Sequence, residues 1–345
     1  MNPFSAHARA WGQRRPIPAF LSFDVEPDGF QLSRTDPPEW GGYTAMFEFA
    51  DQLRSSLAKR SDAPPTFGWY FRTDPQIAEV YGRADYVLAR YPDRMAHLEG
   101  QGDYFGVHAH QIRWCAQQQV WVHDFGDAEW VAYSTRFSLE AHARWAGARV
   151  QRFRSGAAFL TNEIVEVIDR CGVEVDLTLE PVAGWALSAA DVPTSTDTSP
   201  IVGVFTDCRT APQVPFRPAH HDFRISGGRK GRALVMVPLT TGSVRLEKPL
   251  WRRAARRVLR GSHRSPPQIL YPSVNKWPSE SFFWDLVTQQ LRSMRKPYLS
   301  LAIRTDADDL KTSSRVRRIF EVLPDHPLAE RLQFVDPLHF AHHLV

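Results

Sequence analysis

Apolar positions along the chain follow two rhythms, and the two alternate. Short near-continuous runs at 19–23 (Ala-Phe-Leu-Ser-Phe) and 66–71 (Thr-Phe-Gly-Trp-Tyr-Phe) have the length of strands and lack a helical period. Between them Phe47, Ala50, Leu53 and Leu57 recur at spacings of three and four, which predicts a helix over residues 43–59. Asp74-Pro75 opens the next helix with a side-chain cap and a proline at its first position. A helix at about 84–91 and a short apolar segment at 95–98 precede a third strand, Tyr104 to His110. Further helices are expected at 138–148, 161–170, 250–260 and 279–294, and further strands at 173–178, 233–239 and 298–303. Residues 115–130 show no period and read as irregular. Residues 188–218, rich in Thr, Ser, Asp and Pro, read as mostly loop. Alternating strands and helices predict a parallel α/β architecture. No linker or repeat divides it, so one domain is expected over 19–345, behind an N-terminal arm at 1–18.

Composition changes this picture little. The 345 residues include 21 Phe and 11 Trp, enough for a large core and for a cleft that meets flat sugar faces. Forty-two basic against 38 acidic residues leave a net charge of +4, too small to argue for nucleic acid. No recognition motif is present, so sequence-specific nucleic-acid binding is not expected. Cys115, Cys171 and Cys208 are far apart and odd in number, which suits reduced thiols in a cytoplasmic setting. Neither the N-terminal residues nor any later stretch has the apolar run of a signal peptide or a membrane span. Arg252, Arg253, Arg256, Arg257 and Arg260 would share one helix face. It would be solvated, or would dock to anionic headgroups at the inner membrane surface or to an acidic glycan.

Candidate chemistry lies at two strand ends. Side chains two apart on a strand point the same way. Asp24 and Glu26 therefore project together from the end of the first strand, and His108 and His110 from the end of the third. Two imidazoles with one or two carboxylates suit Zn²⁺ or a similar divalent metal with a position left open for water. Arg154, at another strand end, can hold a carboxylate ionised and oriented.

In this arrangement the chain resembles the polysaccharide deacetylase family, the NodB-homology group, from about residue 19 to 305. Ser-Phe-Asp24-Val-Glu26-Pro is similar to the family's first motif, and His108-Ala-His110 to its histidine motif at a shorter spacing. Phe153-Arg154-Ser-Gly156 is similar to the third motif, and Asp176 with Trp185 loosely to the fourth. The resemblance implies a distorted (β/α) barrel of about seven strands. It also implies a metal-dependent enzyme that removes acetyl groups from N-acetylated sugars; a lipid-linked or acidic glycan is the substrate that the arginine face would suit. It implies a metal on His108, His110 and one of Asp24 and Glu26, the other being the base, with Asp24 preferred. Arg154 and Asp176 would line the cleft. The family's last motif ends in a histidine that protonates the leaving amine, whereas here Leu299-Ser-Leu-Ala-Ile ends in Arg304. Deacetylation would need another proton donor. The alternative is an inactive relative that binds a glycan or an anionic partner, and His220 or His221 could substitute as the acid. A barrel glycosidase with two carboxylates is a third reading.

Overall fold

The structure is a computed structural model and describes residues 16–60, 64–181, 200–243, 267–272, 277–304 and 314–345. Its strands in chain order are β1 (Ile17–Val25), β2 (Gly68–Arg72), β3 (Tyr104–Ala109), β4 (Ile112–Cys115), β5 (Val120–Asp124), β6 (Arg152–Ser155) and β7 (Val175–Asp176). After these come β8 (Ile201–Val202), β9 (Val235–Met236), β10 (Thr241–Ser243), β11 (Pro267–Ile269), β12 (Leu299–Arg304) and β13 (Leu332–Phe334). Seven of them form one curled parallel sheet in the order β12-β1-β2-β3-β6-β7-β9, and β13 extends it alongside the first residues of β1. This is the expected (β/α) barrel. The gap between β9 and β12 is bridged by the chain that follows β9. There Thr240 N–H donates to the Ser300 carbonyl (2.9 Å), and Ser300 N–H donates to Thr240 Oγ1 (2.8 Å).

Strict alternation sorts β1 into two faces. Ala19, Leu21, Phe23 and Val25 pack outward against helices Gly41–Leu57 and Glu280–Ser293, while Phe20 faces inward with Tyr70, Tyr104, Val175, Val235 and Tyr298. Inside the barrel large and small residues alternate across neighbouring strands, with Gly68 beside Tyr104 and Tyr70 beside Gly106. A Cβ on Gly106 would lie 2.6 Å from the Tyr70 ring and 2.8 Å from the Arg152 carbonyl. The lower end is closed by helix Pro337–Leu344, which contributes Leu338, Phe340 and Ala341. Asp336 binds Arg152 there, with Nε to Oδ1 at 2.8 Å.

Two expectations change. Residues 115–130 are not irregular: β4 and β5 pair as an antiparallel hairpin, turned at Gln119 in the left-handed region (φ 55°). The helix expected at 138–148 starts ten residues earlier, as Ala128–Ala146, because Asp127 caps the N–H groups of Glu129 and Trp130. The described part of the stretch at 188–218 is mostly loop, as expected, with one short strand, β8, that joins β5. The arginine face at 252–260, Trp185 and most of the N-terminal arm lie outside the described residues. Among the described residues no helix is long and apolar enough to cross a membrane.

Substituting Gly106→Ala should destabilise the fold by about 1–3 kcal/mol through overpacking against backbone and ring. The check is the shift in denaturant midpoint at unchanged slope, and an unshifted midpoint would contradict this packing.

Candidate metal and acid–base site

All seven strands run the same way, so their C-terminal ends share one mouth, where barrel folds place their chemistry. Asp24 and Glu26 enter it from the end of β1, His108 and His110 from β3, Arg72 from β2, Arg154 from β6 and Arg304 from β12. Register accounts for their meeting: Asp24 is paired with Arg304, Arg72 with His108, and His108 with Arg154. Asp24, Glu26, His108, His110, Arg72 and Arg154 are all buried.

The structure brings Glu26, His108 and His110 together, with one ligand atom of each within 4.8 Å of the others. His108 Nε2 is 3.2 Å from Glu26 Oε1 and 3.1 Å from His110 Nε2, and His110 Nε2 is 3.4 Å from Glu26 Oε2. His108 Nδ1 lies 3.2 Å from the Arg154 carbonyl, which can only accept, so the neutral ring carries its proton there. Its Nε2 lone pair then faces a carboxylate. Two acceptors in contact suit a cation between them, and this donor set fits a divalent metal. Burial and the Arg72 cation push His110 well below the ordinary imidazole value, which leaves its lone pair available.

Asp24 stands beside this cluster. Arg154 Nε donates to both of its oxygens, at 2.8 and 2.9 Å, and Arg154 Nη1 donates to the Leu177 carbonyl at 2.6 Å. Arg72 is fixed in turn by Asp74 (2.7 and 2.9 Å) and by Gln76 (2.7 Å). Gly156 makes room for the His110 imidazole, since a Cβ there would lie 2.2 Å from its ring. The turn that follows holds Ala157 and Ala158 in the left-handed region (φ 53° and 54°), a cost of the kind found at functional sites.

Asp176 does not join the cluster. It is in register with Phe153, on the outer face of the sheet, while Arg154 points inward. Its Oδ1 accepts from the Thr178 hydroxyl at 2.5 Å, and its Oδ2 has no partner among the described residues. His220 and His221 are exposed, and their carbonyls bind Arg232 and Asn162.

Two residues at the mouth escape a sequence-only reading. His123, on β5, sits 3.3 Å from His110. Its signal is the Val120-Trp-Val-His-Asp run, which has strand propensity. Glu180 follows β7, where Leu179 packs outward and Glu180 interacts with Arg154, Arg304 and Asp24. Burial raises Glu180 to about 7, against the pull of both guanidinium groups, although part of the residue reaches solvent. Phe30 covers the site from the loop after β1. Its ring is 5.5 Å from that of His110, and the Arg304 guanidinium lies over the Phe30 ring, 5.7 Å from its centroid.

Comparison with solved structures finds the same fold. A structure from Parabacteroides distasonis named as a glycoside hydrolase/deacetylase matches 95% of this chain and 71% of its own, at 13% identity and a TM-score of 0.54. One from Pseudomonas aeruginosa PAO1 named as a polysaccharide deacetylase matches 96% of this chain and 95% of its own, at 10% identity and a TM-score of 0.51. At these identities the likeness is one of fold. No protein-family model matches the sequence, and no curated protein matches it.

Burial raises Asp176 to about 7, against the hydrogen bonds from Thr178. An acid raised on folding binds its proton more tightly in the folded chain, so stability falls as pH rises from about 4 to about 7. Asp176→Asn should therefore gain on the wild type by up to ~4 kcal/mol between pH 4 and pH 8. Denaturant unfolding of both proteins at the two pH values checks it, and a pH-independent difference would refute it.

Proposed function

We propose that the protein is a metal-dependent carbohydrate deacetylase, a hydrolase that removes an acyl group from an amino sugar. The observation that carries this is the convergence of Glu26, His108 and His110 beside an Asp24 held by Arg154 at the mouth of a deacetylase-like barrel. The two imidazoles and Glu26 would hold Zn²⁺ or a similar divalent cation, which when bound polarises a carbonyl and makes water ionise near neutrality.

Each chain residue then has a task. Asp24 Oδ accepts the proton of the attacking water, and Arg154 keeps that carboxylate oriented. Phe30 and Arg304 bound the opening, and the ring of Phe30 keeps bulk water from His110. Arg304 cannot return a proton to the leaving amine, because a guanidinium does not deprotonate in this range. Glu180 shares the mouth with Asp24 and stays protonated up to about 7, so it serves as the acid. Asp176, on the far face of β7, takes no step. The substrate is a glycan with N-acetyl groups, and an acidic or lipid-linked glycan would meet Arg304 at the opening.

Arg304 also favours a second reading, a protein that binds a glycan through the same cleft and does not cleave it. The two differ in turnover. With Zn²⁺ supplied, the wild type should hold about one metal per chain and release acetate from N-acetylated amino-sugar oligomers. His108→Ala should lose both metal and activity. Asp24→Asn should keep the metal and lose at least ~100-fold in kcat. Stoichiometric metal in a wild type that releases no acetate would leave the binding reading. Glu180 makes a separate prediction: kcat declines above about 7 as the acid ionises. Glu180→Gln should lower kcat by ~100-fold and flatten that alkaline limb with metal content unchanged. An alkaline limb that persists in Glu180→Gln would assign the proton to another group.

A further inference from the structure

His123 takes no part in the scheme above, yet it is built against one of the proposed metal ligands. The hairpin folds β5 back across the mouth with Ile112 and His123 in register, and His123 N–H is anchored on the Pro200 carbonyl at 2.8 Å. The His123 ring stacks on His110 with centroids 5.4 Å apart and planes 25° apart. On the other side it stacks on Phe125 at 5.6 Å and 10°, and Phe125 stacks on Phe159 at 3.8 Å. Phe30 meets its edge at 5.7 Å. The ring is buried and has little freedom to turn.

In this stack His123 Nε2 is 3.3 Å from His110 Nδ1. Two imidazole nitrogens form a hydrogen bond only when one of them carries a proton and the other does not. If His110 directs its Nε2 lone pair toward Glu26 and His108, its own proton is on Nδ1. In that tautomer His123 Nε2 is the acceptor opposite this proton, and the His123 proton sits on Nδ1, a buried atom with no hydrogen-bond partner among the described residues. His108 meets the same need with a backbone carbonyl, that of Arg154.

We infer that His123 is a positioning residue of the metal site: its Nε2 accepts the Nδ1–H of His110 and so fixes the tautomer and ring orientation in which His110 binds the cation. This rests on the metal reading given under Proposed function. The partner of a ligating histidine is commonly a carboxylate, a carbonyl or water, and its loss typically weakens metal binding 10- to 100-fold. An imidazole performs the same task without adding negative charge, which leaves Glu26 as the anionic member of the triad.

The test separates accepting a hydrogen bond from filling space. Zn²⁺ affinity is measured on the metal-stripped full-length chain by competition with a chromophoric chelator. The proteins compared are the wild type, His123→Phe and His123→Gln, and the thermal midpoint of each is recorded without metal. His123→Phe keeps a flat ring in the stack and removes the acceptor, so affinity should fall about 10- to 100-fold. His123→Gln loses the ring and restores an acceptor oxygen, so it should stay within about threefold of the wild type even if its metal-free midpoint drops. The reverse order, with Phe binding like the wild type and Gln weakened, would overturn the inference and leave His123 as packing. A wild type with no Zn²⁺ affinity would overturn the metal reading, and this inference with it.

Discussion

In a parallel sheet whose strands share a direction, every second side chain of each strand faces the same enclosed space, and the last inward residue of each strand lies at the same mouth. Everything proposed for this protein depends on that constraint. Asp24 and Glu26 on β1 and His108 and His110 on β3 are separated by a whole strand, yet the register β1-β2-β3 brings the two pairs within hydrogen-bonding distance. Slipping any one strand by a single residue would send its polar residues outward into the helix layer and its apolar residues into the site.

Holding so many polar groups out of water is costly, and the surroundings show how the cost is met. Asp24 and Arg154 are both buried; Arg154 Nε donates to Asp24, and Arg154 Nη1 donates to the Leu177 carbonyl. Removing one member of such a pair leaves a bare buried charge, a loss of about 3–5 kcal/mol. Arg72 is similarly clamped by Asp74 and Gln76, and Asp74 Oδ1 also caps the helix Pro75–Tyr81. That one carboxylate ties local helix formation to the placement of a cation beside His110. Aromatic rings take over where polar partners end: Phe30, Phe125 and Phe159 wall the imidazoles on the hairpin side.

What could be read from the sequence is what local geometry decides. The spacing of two in Asp24-x-Glu26 and His108-x-His110 has one meaning on a strand, so both pairs could be assigned to one face without knowing the fold. The three-and-four spacing of Phe47, Ala50, Leu53 and Leu57 likewise marks a helix, observed as Gly41–Leu57. His123 was hidden because its approach to His110 depends on the pairing of Ile112 with His123 across a hairpin turn. Glu180 was hidden because the chain turns after β7, putting Leu179 outside and Glu180 at the mouth. Asp176 shows the same limit in reverse. The resemblance to the family's fourth motif implied a place in the cleft, but its register with Phe153 puts it on the other face.

Whether a cation sits between the end of β1 and the end of β3 is decided by anomalous X-ray scattering from Zn²⁺-soaked crystals, recorded either side of the zinc absorption edge. One strong peak is expected at about 2.0–2.2 Å from a carboxylate oxygen of Glu26 and from an imidazole nitrogen of His108 and of His110. A map with no peak there, or with zinc bound only at surface histidines, would contradict it.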